Sequence, residues 1–206
     1  TNLDSSTFSE FELDPRCQPV LRALKITTPS PIQAQTIPVA LTGRDIVATA
    51  QTGTGKTLAF SLPSLTRLAA GKPGPNRMLV LAPTRELCAQ VESVMQEFCK
   101  PMKLHSVAVY GGVGMHGQTE KLKRGCDIVV ATPGRLLDHL TRGTFNFNNL
   151  EILVFDEADR MLDMGFLPDI RRIVKLLPRK RQTLMFSATF APTLERLASD
   201  MMHNPE

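Results

Sequence analysis

Several features are scarce or missing in this sequence of 206 residues. Tryptophan is absent and tyrosine occurs once, so base stacking on an aromatic platform is not the expected mode of nucleic-acid binding. No apolar run is long enough to cross a bilayer, and no signal peptide is visible, although a chain that starts with Thr leaves a lost leader open. We therefore expect a soluble, cytoplasmic protein without a membrane partner.

Cysteine is also sparse, with Cys17, Cys88, Cys99 and Cys126 forming neither a CxxC pair nor a metal-ligand pattern. Reduced, partly buried thiols are the expectation. The hydrophobic content of 42% is ordinary for a globular chain, and we expect a single domain over residues 1–206. The net charge of +4 fits a polyanion partner without establishing one.

Residues 50–57 follow the apolar run Ile46–Ala48 and precede residues at helical spacing. Glycines in such a turn bring backbone N–H groups close to phosphate oxygens, and the helix N-terminus adds partial positive charge. Lys56 would reach the β and γ phosphates, and the Thr57 hydroxyl would ligate Mg²⁺. The alternative is a loop that binds nothing. The predicted phosphate loop comprises Ala50, Gln51, Thr52, Gly53, Thr54, Gly55, Lys56 and Thr57.

Short apolar runs alternate with amphipathic helical patterns from residue 45 onward, which predicts an α/β fold with a mostly parallel sheet covered on both faces. The predicted strands are Ile46–Ala48, Met78–Ala82, Ser106–Val109, Ile128–Ala131, Ile152–Phe155 and Thr183–Phe186. Pro63 predicts a short or kinked helix after the phosphate loop. Ligands of such sheets bind beyond the carboxyl ends of the strands, where every polar motif of this chain is predicted to lie.

Asp156, Glu157, Ala158 and Asp159 follow the strand Ile152–Phe155. A carboxylate at a strand tip beside a phosphate loop can hold Mg²⁺, and the next one can deprotonate an attacking water. Asp156 is therefore the predicted metal ligand and Glu157 the predicted base. The alternative is a solvated acidic turn.

The phosphate loop together with Asp-Glu-Ala-Asp resembles the DEAD-box RNA helicase family, specifically its N-terminal RecA-like domain. Residues 25–33 are similar to the family's Q motif, with Lys25 at the position usually held by Gly, within a Q-motif region spanning residues 6–34. The remaining matches are Pro83–Leu87 (motif Ia), Gly111-Gly112 (the GG doublet), Thr132–Arg135 (motif Ib) and Ser187–Thr189 (motif III). The bacterial RhlE-like branch is the most similar one.

The resemblance implies ATP or ADP with Mg²⁺ in the phosphate loop, and Phe8, Lys25 and Gln33 beside the adenine. The amide of Gln33 can pair with adenine N6 and N7 together, and Phe8 can cover the face of the base. Without the surrounding motif, Gln33 would be a helix-surface glutamine. Lys56, Asp156 and Glu157 are the implied catalytic residues.

The resemblance also implies an RNA site that grips one strand by its backbone, with weak sequence preference for single-stranded or duplex RNA. Arg85 and Arg135 each lie in the first turn of a predicted helix, and such helix starts bind phosphate. Ordinary helix capping is the alternative at Thr132 and Pro133. The implied RNA-binding residues are Pro83, Thr84, Arg85, Gly111, Gly112, Thr132, Pro133, Gly134 and Arg135.

Ser187 and Thr189 belong to the motif that couples the nucleotide site to RNA opening in the family, and a hydrogen bond from one of them to Asp159 is the expected route. Simple turn capping is the alternative. The family's second RecA-like domain supplies an arginine finger, and no His-Arg-x-Gly-Arg-x-Gly-Arg stretch occurs in these residues. We expect a monomer that binds nucleotide but hydrolyses it very slowly on its own.

Two other functions are possible on the sequence alone. A non-catalytic, nucleotide-gated RNA clamp or scaffold would share the phosphate loop and the RNA motifs, but it would not need Lys56 and Glu157 intact. A small-molecule P-loop kinase would have no use for Gln33 or for motifs Ia, GG, Ib and III. An ATP-dependent RNA helicase is therefore the favoured function, with this chain as its ATP-binding domain.

Overall fold

In the computed structural model, which describes residues 7–206, six strands form one sheet in the order β1-β6-β5-β2-β4-β3, and every pairing is parallel. This confirms the predicted α/β fold. The strands are β1 (Ile46–Thr49), β2 (Met78–Leu81), β3 (Ser106–Val109), β4 (Ile128–Ala131), β5 (Ile152–Phe155) and β6 (Gln182–Ser187).

Helices connect the strands and cover both faces of the sheet. After a 3₁₀ turn at Phe8–Glu10, the helices are α1 (Cys17–Ala23), α2 (Pro31–Leu41), α3 (Lys56–Ala70), α4 (Arg85–Met102), α5 (Met115–Lys123), α6 (Pro133–Thr141), α7 (Ala158–Asp163), α8 (Leu167–Lys175) and α9 (Pro192–Met201). One hydrophobic layer joins α1–α4 to the sheet, and the other joins α5–α9 to it. Successive residues of a strand pack in opposite layers. In β2, Val80 packs in the layer of α1–α4 and Leu81 packs in the layer of α5–α9.

The helices differ from the sequence-based expectations at two places. Pro63 does not shorten its helix, because α3 runs for fifteen residues through it. A proline removes one backbone hydrogen bond, and the burial of neighbours such as Phe60, Leu62 and Leu65 holds the helix together. Helix α7 was not predicted, since its six residues are too few to show a helical period.

The four cysteines are buried and free, as the sequence predicted, and burial raises the pKa of each thiol to about 12. They are therefore protonated, unreactive packing residues. Within residues 7–206, no helix has the length and apolar character that a membrane span requires. The cytoplasmic location and the monomeric state remain predictions.

Candidate functional site

The predicted phosphate loop connects β1 to α3 and includes the first residues of that helix. Gly53 and Gly55 have φ of +82° and +84°, a left-handed conformation that favours glycine. A Cβ on Gly55 would also lie 2.5 Å from Nε2 of Gln33, so a side chain there would collide with the start of α2. Gln51, Thr52 and Gly53 are exposed at the turn. This is the strand–turn–helix context that a phosphate-binding loop requires.

Lys56 and the acidic motif meet at the same edge of the sheet. Lys56 Nζ lies 2.9 Å from Asp156 Oδ1 and 3.6 Å from Glu157 Oε1. They converge because β1 and β5 are parallel and lie on either side of β6, so their carboxyl ends share one edge. A site that binds phosphates and a cation together needs these side chains at one edge of the sheet. Side chains at opposite ends of the sheet would have excluded such a site.

Asp156 is completely buried and has too few partners for its charge. Burial, and to a smaller extent Glu157, raises the pKa of this carboxyl, while Lys56 opposes the rise. Within the described residues Oδ2 has no hydrogen-bond donor, and Oδ1 has only the ion pair with Lys56. An oxygen with an unused lone pair at this edge fits the Mg²⁺ that the family implies.

The surroundings of Asp156 also match the way proteins hold magnesium. No cluster of three or more His, Cys, Asp or Glu side chains suited to a metal occurs between residues 7 and 206. Magnesium at nucleotide sites is held by one or two carboxylates together with substrate phosphates, so a complete protein cage is not needed. Asp156 and Thr57, the first-turn hydroxyl of α3, fit that incomplete ligand set.

Glu157 adopts a strained backbone conformation directly after Asp156. Its φ of +55° lies in the left-handed region, which is unusual for a residue with a Cβ and often marks functional sites. The Thr52 hydroxyl donates to Oε1 over 3.3 Å, and Arg160 Nη1 lies 3.6 Å from Oε2. The carboxylate is thereby held across the phosphate loop, where a water attacking a terminal phosphate would need a base.

Gln33 already uses both ends of its amide within the protein. Its Oε1 accepts from the Ser30 N–H over 2.9 Å, and its Nε2 donates to the Gly55 carbonyl over 3.0 Å. Ser30 and Gln33 form a reciprocal capping box at the start of α2, which the Ser-x-x-Gln spacing also indicates. Each end makes one of the two hydrogen bonds it is capable of, so these contacts leave one N–H and one oxygen lone pair of the amide for adenine. The pairing itself stays a prediction.

The two remaining predicted adenine-site residues precede α2. Phe8 is only 3% exposed, and its ring packs edge-on against Phe11 with centroids 6.1 Å apart. The structure therefore does not present Phe8 as an open stacking face, and its contact with the base stays a prediction. Lys25 lies just beyond α1 with φ of +58°, which explains why a glycine is usual at this position.

We expect Lys25→Gly to stabilise the fold. A Cβ in the left-handed region costs about 1–2 kcal/mol, and the larger chain entropy of glycine offsets part of the gain, leaving about 0.5–1 kcal/mol. Chemical denaturation would measure the free energy of unfolding. Lys25→Ala is the matched control, since it removes the charge and keeps the Cβ. An equal gain from alanine would contradict the strain argument.

The predicted RNA-binding motifs come together on three neighbouring strands. Motif Ia follows β2, the GG doublet follows β3 and motif Ib follows β4, and these strands are adjacent in the order β2-β4-β3. Thr84 caps α4 by accepting from the Leu87 N–H over 3.2 Å. Thr132 occupies the N-cap position of α6, in line with the capping alternative, but its hydroxyl makes no side-chain capping bond and is not committed to the helix.

Two arginines flank the GG doublet. The guanidinium of Arg85 lies over the ring of Tyr110, 5.4 Å from its centroid, and its Nη1 lies 3.3 Å from where a Cβ on Gly112 would be. Arg135 Nη1 donates to the Val113 carbonyl over 2.9 Å. Cationic groups and small residues thus share one surface, which suits a sugar–phosphate chain.

The predicted link between Asp159 and Ser187–Thr189 is present. Asp159 Oδ2 accepts from the Thr189 hydroxyl over 3.0 Å and from the Thr189 N–H over 3.2 Å, while the Asp159 N–H donates to Ser187 Oγ over 3.1 Å. Burial alone would raise the pKa of Asp159, but hydrogen bonds led by that of Thr189 lower it on balance. The hydrogen bond is confirmed, and its coupling role stays a prediction.

Sequence reasoning missed three polar residues near the RNA motifs. Tyr110 directly follows β3, so the rule that polar groups at strand ends build sites could have found it. Gln118 and His139 lie inside α5 and α6 and are buried. Nothing in their spacing marks them, because only the packing of these helices brings their side chains together.

Comparison with known proteins gives one family and many relatives. A family model described as DEAD/DEAH box helicase matches residues 30–197. ATP-dependent RNA helicase DeaD of Buchnera aphidicola subsp. Schizaphis graminum is 48% identical over 202 residues, which cover 98% of this chain and 33% of that protein. ATP-dependent RNA helicase DDX42 of Homo sapiens is 46% identical over 204 residues, covering 97% of this chain and 22% of that protein.

A plant relative is equally similar. DEAD-box ATP-dependent RNA helicase 52A of Oryza sativa subsp. japonica is 48% identical over 199 residues, which cover 86% of this chain and 33% of that protein. The chain thus spans a third or less of the length of these relatives. Bacterial, vertebrate and plant relatives match equally well, so they do not single out the RhlE-like branch that the sequence suggested.

Proposed function

The chain belongs to the DEAD/DEAH box helicase family, and on that premise we propose that it is the ATP- and RNA-binding N-terminal RecA-like domain of an ATP-dependent RNA helicase. The observation that carries this proposal is the cluster of Lys56, Asp156 and Glu157 against the phosphate loop. A second RecA-like domain elsewhere in the parent protein completes the enzyme. Residues 1–206 form one domain in this proposal.

The phosphate loop holds the triphosphate of ATP. Backbone N–H groups of residues 51–57 surround the phosphates, and Lys56 exchanges part of its ion pair with Asp156 for the β and γ phosphates. Thr57 and Asp156 would hold Mg²⁺, which would neutralise charge on the phosphates. Because Asp156 is buried with an oxygen that lacks a donor, Mg²⁺ would supply the partner that this oxygen lacks.

Hydrolysis follows from the position of Glu157. Its carboxylate orients a water toward the γ phosphate and accepts the proton of that water as the new P–O bond forms. The bond to the β-phosphate oxygen breaks, and ADP leaves with the electron pair. The Thr52 hydroxyl bond and the backbone geometry of Glu157 keep the carboxylate from rotating away.

RNA lies across the surface of motifs Ia, GG and Ib. Arg85 and Arg135 contact phosphates, and the glycines permit close approach of the RNA backbone. Contacts of this type carry little sequence information, so weak sequence preference follows. Asp159, Thr189 and Ser187 connect this activity to the nucleotide through the hydrogen bonds that join α7 to the end of β6.

We expect adenine nucleotides to bind more tightly than guanine nucleotides. Guanine cannot match the donor and acceptor of the Gln33 amide, and a buried unpaired amide costs about 1–3 kcal/mol, or roughly 5- to 150-fold in affinity. Titration of the chain with ADP and GDP, each with Mg²⁺, measures the ratio. Gln33→Ala should bring the two affinities together, and the exposed Gln35→Ala is its control. Equal binding by the unmodified chain would contradict the assignment of Gln33.

We expect residues 1–206 alone to hydrolyse ATP very slowly, with or without RNA. An arginine finger contributes about 10³–10⁵ in rate to phosphoryl transfer, and these residues contain no arginine-rich finger motif of the family. Steady-state turnover of this chain is compared with turnover of the two-domain parent. RNA-stimulated hydrolysis by the short chain at the parent's rate would contradict the expectation. A parent without any stimulation would instead favour a nucleotide-gated clamp.

A further inference from the structure

A buried polar network lies directly beneath the surface formed by motifs GG and Ib. Gln118 of α5 is 6% exposed and His139 of α6 is fully buried. Gln118 Nε2 donates to the Tyr110 carbonyl over 2.8 Å, while its Oε1 lies 3.2 Å from His139 Nε2 and 3.4 Å from Arg135 Nη1. One amide therefore connects the strand end before the GG doublet with two residues of the motif Ib helix.

The orientation of the Gln118 amide follows from its partners. The Tyr110 carbonyl can only accept, so the NH₂ end of the amide must face it. The carbonyl end then faces Arg135 and His139, and both must donate to it. Arg135 always carries N–H donors, whereas His139 donates only if the proton is on Nε2.

The surroundings of His139 determine the charge of the ring and which nitrogen carries the proton. Burial lowers the pKa of the imidazole, with Arg135 and Arg142 acting in the same direction and Asp138 opposing them. The ring is therefore neutral at pH 7 and carries one N–H. Nδ1 is buried without a hydrogen-bond partner among the described residues, which fits the tautomer that keeps the proton on Nε2.

The network determines which face of Arg135 remains for a ligand. Both hydrogen bonds that Arg135 makes within residues 7–206 come from Nη1, one to Val113 and one to Gln118. Nη2 lies on the side of the GG doublet, 4.0 Å from where a Cβ on Gly111 would be. A guanidinium fixed through one nitrogen presents its other N–H groups in a defined direction, which suits a phosphate.

We propose that Gln118 and His139 are positioning residues for RNA binding, since they fix the Arg135 guanidinium and the GG doublet in one arrangement that matches an RNA backbone. This inference rests on the proposed function. Neither side chain contacts RNA itself, because both are buried. Their effect on RNA binding passes through Arg135, and this dependence separates positioning from a general contribution to folding.

The test is a double-mutant cycle on RNA affinity in the parent protein, with a non-hydrolysable ATP analogue present. Gln118→Leu and Arg135→Ala should each weaken binding by about 10-fold, since a charge-assisted phosphate contact is lost in both. In the Arg135→Ala background, Gln118→Leu should cost less than about 2-fold. Gln96→Leu, at an exposed glutamine of α4, is the control for the amide-to-leucine exchange.

Salt dependence gives a readout that a purely structural role would not change. Gln118→Leu changes no charge, yet it should reduce the slope of log affinity against log salt concentration by about one, as Arg135→Ala does. His139→Leu should weaken RNA binding in the same way, and His139→Gln, whose amide can donate to Gln118, should restore most of it. Denaturation of each variant measures its free energy of unfolding and checks that it is folded in the RNA titration.

An independent measurement does not involve RNA. Nitrogen NMR of ¹⁵N-histidine in this chain at pH 7 should show His139 as a neutral ring protonated on Nε2. Protonation on Nδ1, or a charged ring, would overturn the network. Additive losses in a parent that does bind RNA would overturn the positioning role alone, whereas a parent that binds no RNA would overturn the proposed function and this inference with it.

Discussion

Lys56→Ala is expected to reduce nucleotide affinity by about 100-fold or more, because charge-assisted contacts to two phosphates are lost together. The structure adds a second expected effect. Lys56 is the cation beside the buried Asp156, so its removal leaves that carboxylate unpaired and lowers the free energy of unfolding by roughly 3 kcal/mol. Titration with Mg²⁺–ADP measures the first effect, and chemical denaturation measures the second.

The two effects can be separated with a second variant. Lys56→Ala combined with Asp156→Asn removes the unpaired charge, so stability should largely return while nucleotide affinity stays low. Lys72→Ala, at an exposed lysine, is the control for the exchange itself and should bind nucleotide normally. If the double variant bound nucleotide as tightly as the unmodified chain, Lys56 would have no part in phosphate binding.

Glu157→Gln in the two-domain parent is expected to keep nucleotide binding and to lose hydrolysis by about 10²–10⁴-fold, the usual contribution of a general base. Glutamine preserves the shape of the side chain and can still accept from the Thr52 hydroxyl, so the loop should keep its structure. An amide cannot take a proton from water at neutral pH, and therefore the chemical step fails. Single-turnover hydrolysis and a separate nucleotide titration measure the two quantities.

Glu97→Gln is a suitable control, since this glutamate is exposed on α4, away from the phosphate loop. It should leave turnover unchanged. Normal hydrolysis by the Glu157→Gln parent would show that another group accepts the proton. The left-handed backbone of Glu157 would then be explained by the start of α7 alone.

Local sequence signals predicted the parts of the site that depend on a few neighbouring residues. Gly53, Gly55, Lys56 and Thr57 form a phosphate loop because glycine conformation and the start of α3 are local properties. The end of β5 before Asp156 is equally local. The six strands were predicted for the same reason, because each is a short apolar run bounded by polar residues.

Contacts between distant segments were not readable in this way. The family resemblance implied that Gln33 pairs with a base, but it did not show that Nε2 also donates to the Gly55 carbonyl. The resemblance also implied that Phe8 covers the base, yet Phe8 is buried and packs against Phe11. Both side chains therefore make contacts within the protein that the sequence pattern did not show.

The sequence by itself determined the succession of the six strands along the chain, the phosphate loop and the acidic strand end, because each depends on residues that are close together in the chain. Only the tertiary structure decided that Lys56 pairs with a fully buried Asp156, and that Gln118 and His139 lie beneath Arg135. These arrangements depend on which strands are adjacent and how the helices pack on them. Strand adjacency and helix packing are set by burial of the whole core, so no short stretch of the sequence indicates them.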